Sequence, residues 1–248
     1  MFFNLIRSEW LKLSTTKAIY WLTIFYFALS AGLAWVTGKY TTMDKPPFVL
    51  IAPALQPITT LTIVFPAILA MMVVTGEYRH RTMSSTFTAA PQRVAVIFAK
   101  LVVALLYAAL TTVVVVLAAF YAYKLGVGSD YQMMVDPFVP WARHAYFSFA
   151  AGAALFSLFA FGLGLLLRQT AGTSTLLIIW YFVLEPLLTL LPKVGEFLYK
   201  WAPMHHMQAF MQDKATGDFS ATQSGLYATA FGVVIFLIGL VYVVRRDA

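Results

Sequence analysis

Hydrophobic residues run in long, nearly uninterrupted blocks along this chain, and its polar residues are gathered into short breaks between them. The blocks cover roughly residues 18–37, 58–76, 94–123, 144–167, 172–191 and 224–244. Each approaches or exceeds the ~20 residues that an α-helix needs to cross a hydrocarbon core, and none has the short alternation of a barrel strand. The pattern predicts an all-α integral membrane protein with six transmembrane helices, the third long enough to project beyond the bilayer. The first block is longer than the ~7–15 apolar residues of a signal peptide, so it reads as a retained span.

The breaks carry their own patterns. Residues 1–17 set Phe2, Phe3, Leu5, Ile6, Trp10 and Leu13 against Arg7, Glu9, Lys12 and Lys17, the spacing of an interfacial helix lying on the membrane. The plainer reading is a basic flank that only orients the first span. Between the second and third blocks stands GEYRHRTMSSTFTAAPQR, residues 76–93, with basic side chains at Arg79, His80, Arg81 and Arg93. A charge near the bilayer centre costs roughly 2.5–3.5 kcal/mol or more, so this segment belongs at a membrane face. Its interior predicts a short helix with Met83, Phe87 and Ala90 on one side and Pro91 as its stop. Residues 38–57, with Pro46, Pro47, Pro53 and Pro57, make a first connection on the other face, and residues 124–143, with Asp130, Asp136, Pro137 and Pro140, a second. The turn at Arg168–Gly172 is tight enough to make spans four and five a hairpin. Gly225, Gly232 and Gly239 recur every seven residues along span six, and Gly152, Gly162 and Gly164 lie in span four. Such small residues let helix backbones approach in lipid, within one subunit or between two.

Composition agrees with the pattern. The chain is 61% hydrophobic and 11% charged, against about 25% charged in soluble domains. Its net charge of +7 is explained by topology. The face bearing residues 1–17 and 77–93 holds ten basic residues against three acidic, and the other face seven against six, with Glu185 left inside a span. The positive-inside rule puts the first face, and both termini, in the cytoplasm. With no cysteine, disulfides, thiol nucleophiles and thiolate metal sites are excluded.

Glu9–Trp10–Leu11–Lys12 ahead of the first span, the 76–93 segment and Lys100 just beyond it together resemble a permease of the ABC-2 class, the membrane subunit of a bacterial ABC exporter. The resemblance covers nearly the whole chain, as one ABC-2 type transmembrane domain over residues 1–248. It implies that 1–17 is a membrane-surface helix, that 77–93 is a cytoplasmic coupling helix docking on an ATPase, and that 192–223 forms an outer hairpin between spans five and six. The docking residues would then be Glu77, Arg79, His80, Arg81, Thr82, Met83, Phe87 and Arg93, with Glu9, Trp10 and Lys12 in the interfacial helix. Lipid-headgroup contact is the competing account of the same charges, at ~1 kcal/mol for each basic residue. The family also implies a bacterial inner-membrane location, a second permease subunit, identical or not, and a cytoplasmic ABC ATPase that carries ATP and magnesium. No Gly-x-x-x-x-Gly-Lys-Ser/Thr loop occurs, so this chain lacks the backbone cradle for ATP phosphates, binds no cofactor or metal of its own, and is expected not to be an enzyme.

The expected cargo is a hydrophobic or amphipathic compound such as a drug, peptide or lipid, moved out of the cytoplasm. An ion-coupled secondary transporter using Glu185 is the alternative, since an intramembrane carboxylate next to Pro186 can mark a pathway. Alternatively Glu185 is satisfied by a Tyr, a Trp or water. Met204–His205–His206–Met207 invites a soft-metal reading, but adjacent histidines point in different directions on a helix. An intramembrane serine protease needs a serine and a histidine within hydrogen-bonding reach, and span six contains no histidine.

Overall fold

The computed structural model describes residues 2–41, 52–89, 92–129, 135–188, 190–192 and 195–246. The expected prolines at 46 and 47, the stop at Ala90–Pro91, and Lys45, Asp130, Lys193 and Asp247 lie outside the described residues.

Six helices among the described residues are long and apolar enough to cross a membrane: Lys17–Tyr40, Pro53–Arg79, Arg93–Gly126, Ala142–Leu167, Thr170–Leu188 and Ala221–Arg245. They are spans one to six. Ahead of them lies α1 (Phe2–Thr15), and span one is α2 (Lys17–Tyr40). Span two combines α3 (Ala52–Pro57), a π-helical turn (Ile58–Thr62) and α4 (Val64–Arg79). The short α5 (Met83–Ala89) comes next, then span three as α6 (Arg93–Gly126) and span four as α7 (Pro140–Leu167). Span five is α8 (Thr170–Ile179), a second π turn (Trp180–Leu184) and α9 (Glu185–Leu188). Two short helices, α10 (Gly195–Lys200) and α11 (Pro203–Met211), lead to span six, α12 (Ala221–Arg246).

Local chemistry sets several of these limits. Pro140 starts α7, where a missing N–H costs nothing. Arg168, left-handed at φ 55°, closes the same helix and bonds back to the Gly164 carbonyl at 2.9 Å, producing the tight turn into span five. Span six opens on a reciprocal cap: Gln223 N–H donates to Ser220 Oγ at 3.3 Å, and Ser220 N–H donates to Gln223 Oε1 at 2.8 Å. Span two differs from the sequence pattern, which places Pro53 and Pro57 in a connection. Both are inside the span, and a π turn follows Pro57, with Ile63 N–H donating to the Ile58 carbonyl at 2.9 Å.

Glycines bring the helices together where side chains would hold them apart. A Cβ on Gly162 of span four would lie 2.8 Å from the Phe236 backbone N, and one on Gly239 of span six 2.8 Å from the Gly162 carbonyl. These span-four and span-six glycines therefore pack within one subunit. Spans one and three meet as closely, with a Gly126 Cβ placed 2.3 Å from the Trp35 carbonyl. Around these crossings the core is aromatic and aliphatic, with Tyr26, Phe120, Phe149, Phe156, Phe159 and Tyr181 all buried. Trp21, Phe147 and Leu226 face outward from the bundle, as lipid-facing residues do.

Candidate docking site and its charged network

The first and third spans begin, and the second ends, at one end of the bundle, where four charged residues meet. Lys100, one turn and more inside span three, is fully buried. Its ammonium donates to Glu9 Oε2 of α1 and to Glu77 Oε1 at the end of span two, both at 2.6 Å. Lys12 of α1 donates to Glu9 Oε1 at 2.8 Å and to the same Glu77 Oε1 at 2.9 Å. Two lysines and two glutamates cancel, which is what permits such charges at this depth. The network is not a simple gain in stability, because each ion also gives up its hydration. Its effect is registry: removing one partner strands an opposite charge, so α1 and spans two and three hold one alignment. Lys12 is half exposed. Burial lowers its pKa, but the bonds to Glu9 and Glu77 outweigh that and hold the ammonium above the ordinary lysine value. Glu77 Oε2 is buried and makes no hydrogen bond.

The chain leaves Glu77 through a sharp corner. His80 N–H donates to the Gly76 carbonyl at 3.0 Å, and Thr82 N–H to the Glu77 carbonyl at 3.0 Å. Arg81 takes the left-handed conformation at φ 56°, which costs a non-glycine residue about 1–2 kcal/mol. After this corner α5 runs from Met83 to Ala89, inside the residues expected to form the short helix.

Two of the expected docking residues face inward. Met83 and Phe87 are buried in an apolar cluster with residues of spans two, three, four and six, among them Val74, Ile97 and Phe161, because an amphipathic helix at a bundle end hides its apolar stripe on its own protein first. The Arg93 guanidinium lies 5.4 Å from the Phe87 ring. These three residues fasten α5 to the bundle, and Glu77 belongs to the network. Arg79, His80, Arg81 and Thr82 are exposed at the corner. In α1, Glu9 is buried, whereas Trp10 is 41% exposed and meets the Tyr107 ring edge-on at 6.2 Å.

Between α1 and this corner lies a cleft of about 620 Å³. Glu9, Lys12 and Glu77 line it together with Arg79, His80 and Thr170. Thr170, the first residue of span five, donates to Thr75 of span two at 3.0 Å, and the Arg168 guanidinium lies 5.1 Å from the Tyr78 ring and 4.8 Å from the Tyr242 ring. The start of span five and the end of span six therefore share this end of the bundle.

Glu185 is at the opposite end. It is 5% exposed, and protein donors take both its oxygens: Trp180 Nε1 at 2.8 Å and Met204 N–H at 3.0 Å on Oε1, and His205 N–H at 2.9 Å on Oε2. Met204 and His205 are the second and third residues of α11. Ala202, the residue in the capping position with extended backbone, brings no side-chain acceptor, and the carboxylate from span five takes that place. Both ring nitrogens of His206 are occupied as well: Nε2 bonds the Lys200 carbonyl at 2.8 Å and Nδ1 the Ser224 hydroxyl at 3.0 Å. Nε2 must be protonated to meet a carbonyl, so Nδ1 of the neutral ring is the acceptor. No group of three metal-ligating residues occurs among the described residues.

The sequence pattern singles out Glu9, Lys12, Glu77 and Glu185 but not what joins them. Lys100 is visible there as a lone cation inside a long apolar run, a residue that requires a carboxylate partner. The two π turns leave no such signal beyond Pro57 and Pro186.

A family model described as ABC-2 family transporter protein matches residues 5–185, from α1 to Glu185. No individual curated protein matches the chain.

Proposed function

Because the chain belongs to the ABC-2 transporter family and is a multi-pass membrane permease, we propose that it is the transmembrane subunit of an ATP-driven exporter. In this reading it pairs with a second permease subunit in a bacterial inner membrane, its termini are cytoplasmic, and a separate cytoplasmic ABC ATPase carries ATP and magnesium. The ATPase docks at the corner after span two, with Arg79, His80, Arg81 and Thr82 presented to it and Met83, Phe87 and Arg93 anchoring the corner from behind.

The observation that carries this reading is the Glu9–Lys12–Glu77–Lys100 network. It ties the residue that opens the corner to α1 and to span three. A partner that displaces the corner consequently moves α1 and two spans as a body, with no slack in a flexible linker. Movement alone transports nothing, so the cargo must bind the two states with different affinity. A hydrophobic or amphipathic cargo such as a drug, peptide or lipid suits the apolar spans. The ion-coupled alternative, centred on Glu185, is weakened by the three protein donors that occupy that carboxylate.

The missing phosphate loop supplies the test. The purified 248-residue chain should hydrolyse no ATP with magnesium, and should acquire ATPase-dependent cargo movement in vesicles only with its partner. Magnesium-dependent hydrolysis by the chain alone would refute the assignment.

A further inference from the structure

At the end of the bundle away from the charged corner, the π turns of spans two and five face each other, and α11 with the Gln212 that follows it reaches both. The Tyr181 hydroxyl, in the span-five turn, donates to the Thr59 carbonyl in the span-two turn. Tyr181 is 3% exposed and Thr59 fully buried, so no water competes for that bond. From α11, the Gln208 side chain reaches the same tyrosine hydroxyl. Just past its end Gln212 Nε2 donates to Thr59 Oγ1 at 3.3 Å. The beginning of α11 is held by Glu185 of span five, and its last residue, Met211, gives its carbonyl to Ser148 Oγ of span four at 3.0 Å. A short helix buried in a bundle must have its terminal N–H and C=O groups satisfied. Here the next turn of chain takes several of the carbonyls, but two N–H groups at the start and the last carbonyl are satisfied by spans five and four, so α11 cannot leave without breaking those bonds.

We infer that α11 is a bolt holding the far ends of spans two and five together, and that Glu185 is the positioning residue that fastens it to span five. The π turns make the arrangement releasable. Each contains an extra residue relative to an α-helical turn, and a change of that turn to α geometry rotates the helix beyond it. In span five the first residue beyond the turn is Glu185. Such a rotation would withdraw the carboxylate from Met204 and His205 and free the bolt. In the transport reading this is the far-side gate, but the inference concerns the chain by itself and is tested without nucleotide, cargo or ATPase.

The capping and the linking roles of Glu185 can be separated. Replacing Ala202 by Ser supplies a cap from within α11 itself, so the double variant Glu185→Ala with Ala202→Ser restores the helix end but not the tie to span five. The absence of cysteine allows spin labels at Leu61→Cys and Leu187→Cys, which are outward-facing positions on spans two and five. Distances would be measured by pulsed electron resonance in lipid nanodiscs, with excess unlabelled chain. Amide exchange at residues 204–206 reports separately whether α11 remains folded.

The double variant should keep wild-type exchange at 204–206 while its label distance broadens and shifts longer. Ala202→Ser alone should leave both readouts unchanged. Tyr181→Phe, which removes the direct link between the turns, should lengthen the distance in the same direction. Should the double variant be lost in purification, Glu185→Met with Ala202→Ser, which keeps the side-chain length but offers the α11 N–H groups no carboxylate, carries the same distance measurement. A wild-type distance distribution in a double variant with a folded α11, or in the methionine variant if that replaces it, would overturn the bolt and leave Glu185 as a helix cap only.

Discussion

Lys100 is the residue on which the charged end depends. It is fully buried and bonds Glu9 and Glu77, so replacing it by a methionine of similar length leaves two carboxylates with only Lys12 between them. Breaking one partner out of a buried ion pair costs about 3–5 kcal/mol. Lys100→Met should therefore lower the thermal midpoint of the detergent-purified protein clearly. Adding Glu9→Gln and Glu77→Gln should recover most of the loss, since the stranded charges are then gone. Equal stability of the single and triple variants would contradict the network. In the sequence Lys100 reads as a lone cation at the start of an apolar run, but which carboxylates meet it is hidden, because nothing in a linear pattern reveals that residues 9, 77 and 100 converge. Glu185 is legible as a buried acid needing partners. A Trp is among its expected partners, and Trp180 is one; the Met204 and His205 N–H groups are not legible, because backbone N–H groups have no sequence signature.

Among the elements, spans are legible and their interruptions are not. Twenty apolar residues announce a helix whatever it packs against, whereas a π turn depends on how proline and its neighbours share hydrogen bonds. The short α5 is expected from its amphipathic spacing. Its apolar residues Met83 and Phe87 are buried in a cluster of the bundle itself, which spacing alone could not decide against an external partner. α11 carries a pH dependence of its own. Burial lowers the pKa of His205 and of His206 below the ordinary histidine value, with His206 adding to the effect on His205. Both are then neutral when folded near pH 7, and the unfolded segment binds more protons as pH falls through ~6.5. Stability conferred by neutral, packed histidines is thus present above that pH and lost below it. Amide exchange in α11 should accelerate between pH 7.5 and 5.5. His206→Gln should flatten that dependence and leave the part due to His205. An exchange rate in α11 with no acid acceleration, after correction for intrinsic chemistry, would contradict the neutral, packed arrangement.

For the whole molecule, composition and the distribution of basic residues carry most of the architecture, since crossing a membrane constrains a chain more strongly than any single motif. Which end faces the cytoplasm rests on charge counting, and the cysteine-free chain makes it testable. Ser84→Cys should be reached by an impermeant maleimide only in inverted vesicles, and Ala215→Cys, past α11, only from outside intact cells; Ala215 leaves the Ser220 cap of span six undisturbed. Labelling of both from the same side would reverse or break the topology.

The central claim is that the corner after span two receives a partner's force and passes it through the charged network. Arg79 and Arg81 are exposed there and take no part in the network, so exchanging both for glutamate reverses the presented charge and spares the fold. Across an interface, like charges brought together cost several kcal/mol. The direct measurement is recovery of the cognate ATPase with tagged permease at matched expression. The account predicts that Arg79→Glu with Arg81→Glu reduces ATPase recovery at least tenfold, while the permease still inserts and purifies as before. Undiminished recovery of the ATPase would contradict docking at this corner.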